Sequence, residues 1–437
     1  MPRMYIHDES EPAIKSELDM FTVPPTAIAV QHAKWVHIHP RNARSEDSTG
    51  PFEFSIERDG NFYDMSSSFL LATLKITHSD GKDLDTTLSE YSAPANYIGA
   101  TLFRNVRVFM NNSLVYDSGP NYAYRCMMEA LLNYPEDTKN TILRAGGYWT
   151  QDWDKWNTST SVGYAHRAAL AKGSKNFQVM AGLHADCFSN NRLLPSNLPM
   201  RLELYRNPNE FSVDCLMDPP NEKHKLKVID LVWVVKQVKL IDSIAASIEA
   251  TLERHVAKYP VRRTECKDFN LPQGVNSVNH LQVVQGQIPR RIVLGMVEPE
   301  AFSGAYGKFA FHFGHFDVSQ LQLDVSGVSV PSEPLQVDFG KQNCVEAYMS
   351  MFQNLNMNHE TNSNGIEYDE FLKGTTLFVF DLLGDPSEAW RLINDGTVSV
   401  SMQFAKTIPD IKLLVYCEYD NLLTINKHRE VMYDFSA

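Results

Sequence analysis

A chain of 437 residues is longer than a single hydrophobic core usually supports, which points to two domains of about 200 residues each. Its 43% hydrophobic and 21% charged residues are ordinary for a folded globular protein and exclude a disordered or coiled-coil chain. A formal net charge of −13 excludes a surface that binds nucleic acid all round, because phosphate recognition needs a clustered excess of Lys and Arg.

In chain order, residues 1–20 show no sustained period and mixed charge, and read as an amino-terminal arm. They lack the apolar core of a signal peptide, so secretion is not expected. Phe52, Phe54 and Ile56 then alternate with polar neighbours, the period of a strand with one buried face. The stretch LLATLKITHSDG reads as a strand closed by an Asp-Gly turn, and TLFRNVRVFMNNSLVYDSG as two strands joined at Asn111 and Asn112. In YAYRCMMEALLNY, Met127, Ala130, Leu131 and Tyr134 share one helical face, which is expected to pack on its own domain.

Residues 135–176 read as a long loop holding three of the six tryptophans. Strands resume at FQVMAGLHADCF, MRLELYR and KVIDLVWVVKQVKL, whose LVWVV is far short of the roughly 20 apolar residues of a membrane-spanning helix. A helix carrying Ile244, Ile248, Leu252 and Val256, expected to stop at Pro260, marks the domain junction. Beyond it the strands return around a second helix, NCVEAYMSMFQNL. Its Val345, Tyr348, Met349 and Phe352 repeat the first helix at an offset of 218 residues, as Cys344 repeats Cys126.

The halves match in order: strand-turn-strand, helix, strand, turn, alternating strand, final apolar strand. The expected fold is all-β, two tandem eight-stranded jelly rolls with short inserted helices. The expected boundaries are an arm at 1–20, a first jelly roll at 21–240, a linker helix at 241–258 and a second jelly roll at 259–437. An immunoglobulin-like sandwich competes, but needs only about 100 residues per domain and gives no reason for the helix.

Chemistry is sparse. His184 and Asp186, with His224 downstream, have the spacing of a facial iron triad, against a plainer reading as outward polar strand residues and, for His224, a surface position. His32, His37 and His39 could supply only part of a zinc site, and Glu203 and Glu210 cannot be placed as a glycosidase pair. No nucleophile elbow or phosphate-binding loop occurs, so no catalytic, cofactor-binding or metal residue is assigned and an enzyme is not expected. Arg41, Arg44, Arg104 and Arg107, with the doublets Arg262-Arg263 and Arg290-Arg291, read as solvated strand ends that would form a phosphate surface only if clustered. Six dispersed cysteines read as buried reduced thiols, leaving the sequons at Asn111 and Asn157 idle.

The stretches SELDMFTVPPT, FRNVRVFMNNSLVY, YAYRCMMEALLNY, YPVRRTE, IPRRIVLGMVEPEAFSGAY, EAYMSMF, GTTLFVFDL and YCEYDNLLTINKHREV resemble, over nearly the whole chain, the double jelly-roll major capsid proteins of Polinton (Maverick) elements and the adintoviruses. The resemblance implies two side-by-side jelly rolls and a homotrimer forming a pseudo-hexagonal capsomer. Neighbouring capsomers would build an icosahedral virion shell around double-stranded DNA, with a single jelly-roll protein at the vertices. It carries no catalytic residues, cofactor or membrane span. The arm would tuck beneath the capsomer, and the aromatic insertion at 135–176 would make trimer contacts or a tower. The competing function is a carbohydrate-binding or attachment β-sandwich, for which a signal peptide and extracellular disulfides are missing.

Overall fold

The computed structural model describes residues 16–433 apart from 22, 24–25, 27, 43–49, 85–91, 151–160, 216–223, 358–362 and 383–392. Most of the arm, Arg44, Trp153, Trp156 and Asn157 therefore lie outside the described residues. The first half contains β1 (Val30–Ile38), β2 (Phe52–Ile56), β3 (Phe62–His78), β4 (Ser92–Pro94), β5 (Phe103–Met110), β6 (Ser113–Asp117), β7 (Phe177–Gly182), β8 (Met200–Arg206), β9 (Val213–Cys215) and β10 (His224–Leu240). The second contains β11 (Ala257–Leu271), β12 (Ser277–Gln287), β13 (Arg291–Val297), β14 (Val318–Val325), β15 (Val328–Gln336), β16 (Leu377–Asp381), β17 (Asp395–Phe404), β18 (Ile411–Ile425) and β19 (Val431–Tyr433).

The first half folds into sheets of order β1-β10-β3-β7 and β2-β8-β5-β6, the second into β11-β18-β13-β16 and β12-β17-β14-β15. Setting aside the short pair β4-β9 and the appended β19, both halves have the same arrangement. Strands one, eight, three and six make one sheet and two, seven, four and five the other, as a jelly roll requires. The expected all-β pair of eight-stranded jelly rolls is what the chain forms.

Local chemistry accounts for the strands. In β17, Val398, Val400, Met402 and Phe404 are buried in strict alternation, so one face of the strand feeds the core. The hairpin β5-β6 turns on Asn111 and Asn112, both at positive φ, and its counterpart β14-β15 turns on Ser326 and Gly327, also at positive φ. That backbone matches the right-handed strand twist, and Asn and Gly adopt it at least cost.

Helices occupy the connections: α1 (Ile98–Thr101), α2 (Tyr122–Leu132), α3 (Glu136–Asn140), α4 (Ile142–Ala145), α5 (Val162–Ala171), α6 (Asn209–Ser212), α7 (Asp242–Leu252), α8 (Pro299–Ser303), α9 (Val345–Asn354) and α10 (Tyr368–Lys373). Both α2 and α9 follow the fifth jelly-roll strand and precede the sixth, the expected repeat.

Four expectations change. The stretch 135–176 is helical over α3, α4 and α5 rather than a loop: α3 and α4 are too short to show a period, and α5 buries Tyr164, Arg167, Ala168 and Ala171 at helical spacing, with an arginine in the buried stripe. α7 ends at Leu252, and Pro260 lies inside β11, where an end strand of the sheet leaves its missing N–H without cost. Val256 is therefore outside the helix, and Ile244 and Ile248 pack on Phe62, Val238 and Leu240. The strand at FQVMAGLHADCF stops at Gly182, and Asp186 sits in a following turn of 3-10 helix.

Candidate functional site

α2 is buried on nearly every side, including Tyr124, Arg125 and Met128. Cys126, Met127, Ala130 and Leu131 belong to the apolar cluster that also contains the strands of its own half. Its other side, carrying Tyr124 and Met128, meets the second half, a contact additional to the expected packing on its own jelly roll. One buried apolar cluster, α2 included, takes in residues from Phe54 to Ile425.

Three side chains at and just before α2 face the second half. Asn121, just before the helix, donates to the Cys266 carbonyl and to Asp268, each at 3.1 Å. The Tyr124 ring stacks on Phe302 at 5.3 Å and meets Phe311 edge-on at 5.5 Å. Met128 lies over Gly295, where any β-carbon would come within 3.1 Å of the methionine methyl group and 2.9 Å of Phe313 and Leu377. Glycine there allows the close approach of helix to sheet.

Beside these contacts lies a half-open crevice of about 810 Å³ whose lining includes Arg125, Glu129, His184, Asp186, Arg291 and Glu418. Arg125 donates to Glu129 at 2.9 Å, to Asp186 at 2.7 Å and to the Tyr116 hydroxyl. Asp186 also accepts from the backbone and hydroxyl of Thr264 at 3.0 and 2.8 Å, tying the first half to β11. Glu129 accepts from the Tyr416 hydroxyl at 3.0 Å and lies 2.5 Å from His184 Nδ1, while His184 Nε2 meets the Tyr97 hydroxyl at 3.2 Å. Burial works against the Arg125 charge, but Asp186 and Glu129 more than offset it and hold its pKa high. Burial raises the Asp186 pKa against the pull of Arg125 and Thr264.

Glu129 is held at about 2: burial would raise it, and Arg125 followed by His184 more than offset that. A carboxylate depressed on folding contributes stability that is complete above its usual 4.5 and is lost as pH falls through about 2. The wild-type chain is therefore expected to lose up to about 3 kcal/mol of its advantage over Glu129→Gln across that window, seen as converging urea midpoints. Midpoints that stay equally separated down to about pH 2 would contradict it.

The triad spacing does not become a metal site. Both ring nitrogens of His184 and both oxygens of Asp186 are engaged as described. His224 is elsewhere, bonded to Cys215 Sγ at 3.0 Å and Ser92 Oγ at 3.3 Å. His184, Asp186 and His224 are all buried, against the expected outward or surface positions. His32, His37 and His39 are exposed, on and just after β1. Among the described residues no three His, Cys, Asp or Glu side chains converge as a metal site. Glu203 is bonded to Tyr205 at 3.2 Å, and Glu210 lies in α6. All six cysteines are free and buried.

The arginine doublets are corrected too. Arg263 is buried against Glu265 at 2.7 Å and over the Tyr419 ring, Arg290 is buried near Asp420, and Arg291 pairs with Glu418 at 3.2 Å. Arg107 pairs with Asp117, and Arg41 with Glu57. Arg104 and Arg262 are exposed. Acids on β18 neutralise Arg290 and Arg291 and Glu265 of β11 neutralises Arg263, so these three are held inside the fold instead of forming an open phosphate surface.

The chain can now be set beside known proteins. No protein-family profile matches it. The uncharacterized protein F54H12.2 of Caenorhabditis elegans is 28% identical over 425 residues, spanning 94% of this chain and 99% of that protein. A chain in the 3.5 Å cryo-EM structure of the Sputnik virophage superposes with a TM-score of 0.65 at 13% identity, covering 100% of this chain and 95% of that one. The mavirus major capsid protein gives 0.55 at 10% identity, covering 100% and 97%, and the Faustovirus major capsid protein 0.55 at 8%, covering 95% and 92%. Over its whole length, this chain has the double jelly-roll fold of those viral capsid proteins.

Proposed function

We propose that the chain is a major capsid protein of the Polinton and adintovirus type, resident in the virion, with no catalytic role. One observation carries this reading: two jelly rolls of identical strand order are locked through α2 into one body, in a fold shared end to end with capsid proteins of DNA viruses. The division into an arm at 1–20, jelly rolls at 21–240 and 259–437 and a linker at 241–258 belongs to the same proposal. A duplicated chain offers two similar footprints, so three copies supply six for a pseudo-hexagonal capsomer that tiles with its neighbours and a single jelly-roll vertex protein. A Caenorhabditis elegans relative of matching length accords with an element carried in animal genomes. Because the paired arginines are neutralised internally, packaged double-stranded DNA would contact the shell only loosely and take its counter-charge from other molecules.

The purified chain is expected to run at three times its 49.6 kDa mass and to give hexagonal particles by electron microscopy. A strictly monomeric species at every concentration and salt would end the reading.

A further inference from the structure

The seam inside the chain has an unoccupied twin. Asn121, Tyr124 and Met128 face the second half, and 221 positions later stand Gln342, Val345 and Met349. All three are exposed, Val345 by 58% and Met349 by 42%, although α9 occupies the same place in its jelly roll as α2. The same register pairs buried Cys126, Ala130 and Leu131 with buried Ala347, Met351 and Phe352. Structurally, then, the repeat is offset by 221 residues at the helices instead of the 218 that sequence suggests.

The receiving surfaces correspond as well. α2 lies on the outer face of β11-β18-β13, where Tyr416 pairs across the ladder with Cys266 and Val293, and Leu414 with Gly295. In the first half Val234 pairs with His37 and Phe69, and Val232 with Leu71; setting Val234 in the place of Tyr416 puts Leu71 where Gly295 stands, so a helix received here rides on a leucine side chain and sits farther from the sheet than α2 does. Around Val232 and Val234 that face carries exposed apolar side chains beside the exposed His37. Trp35, 49% exposed, leans on Phe69 at 5.5 Å, and Met180, 39% exposed, pairs with the half-buried Leu71.

We propose that the outer face of β1-β10-β3-β7 receives α9 of a second copy of this chain, as β11-β18-β13-β16 receives α2 of the same chain. This rests on the self-assembly reading above and names its contact. Each copy offers one α9 and one receiving face, so the contact is heterologous and repeats around a closed ring or along an open filament.

Because all six native cysteines are buried, single-cysteine probes report cleanly. Met349→Cys and Leu71→Cys chains, mixed and mildly oxidised, are expected to form a disulfide-linked dimer that neither forms alone; carrying both changes in one chain should link every copy in the assembly. Val345→Glu with Met349→Glu, at exposed positions, should leave the melt of the dissociated chain unchanged and raise the midpoint concentration of assembly more than about tenfold. Assemblies of full mass that lack the 349–71 link and tolerate the paired glutamates would overturn this surface and leave the capsid reading standing. A wild-type chain that stays monomeric would overturn both.

Discussion

Arg125→Ala is expected to destabilise the chain by about 3 to 5 kcal/mol, measured as a fall in the urea midpoint, because it strips the counter-charge from two buried carboxylates. Asp186 is only 2% exposed and would keep nothing but Thr264, and Glu129 would keep His184 and Tyr416. The cost arises from leaving charge unpaired in a poorly solvated crevice, not from any large intrinsic value of the ion pair. The triple change Arg125→Met, Glu129→Gln, Asp186→Asn removes all three charges together and should recover most of the loss. An Arg125→Ala chain within about 1 kcal/mol of wild type would mean that water reaches these carboxylates freely.

Tyr124→Ala is expected to cost about 3 to 5 kcal/mol, since it empties the volume of a buried ring at the centre of the seam. The ring touches Phe211 from its own half and Phe302, Phe311 and Phe313 from the other, so its removal should also split a single unfolding transition into two. Tyr124→Phe makes the contrast: the hydroxyl has no hydrogen-bond partner among the described residues, so losing it should be neutral or slightly stabilising. A Phe variant as damaged as the Ala variant would show that the hydroxyl, not the ring, matters.

The strands and hairpins were legible because their determinants are local. Alternation at Phe52, Phe54 and Ile56 and the turn at Asn111 and Asn112 need no distant partner, and the order of elements then exposed the duplication. Periodicity identified the side of α2 that faces its own sheets, but it cannot report a second buried side. Arg125 and Glu129, one turn apart, look like a solvated pair until Asp186, Thr264 and Tyr416 arrive from remote positions. For the same reason Arg290 and Arg291 read as surface charge: their acids, Asp420 and Glu418, lie more than a hundred residues away. The one available hint was an arginine and a glutamate set into an otherwise apolar helix.

The placement of α2 also governs the order in which the protein can be made. Its outward residues emerge from the ribosome with the first jelly roll, but the sheet that covers them is complete only when β18, ending at Ile425, has been synthesised. At about 5 to 20 residues per second, Tyr124 and Met128 stay bare for roughly 15 to 60 s. During that time a nascent chain displays an apolar helix face like the one α9 presents on the finished single chain. Polysomes crowd such chains together, so premature pairing between neighbours competes with the internal closure each chain needs, and the delay falls on the protein's biogenesis more than on its final stability.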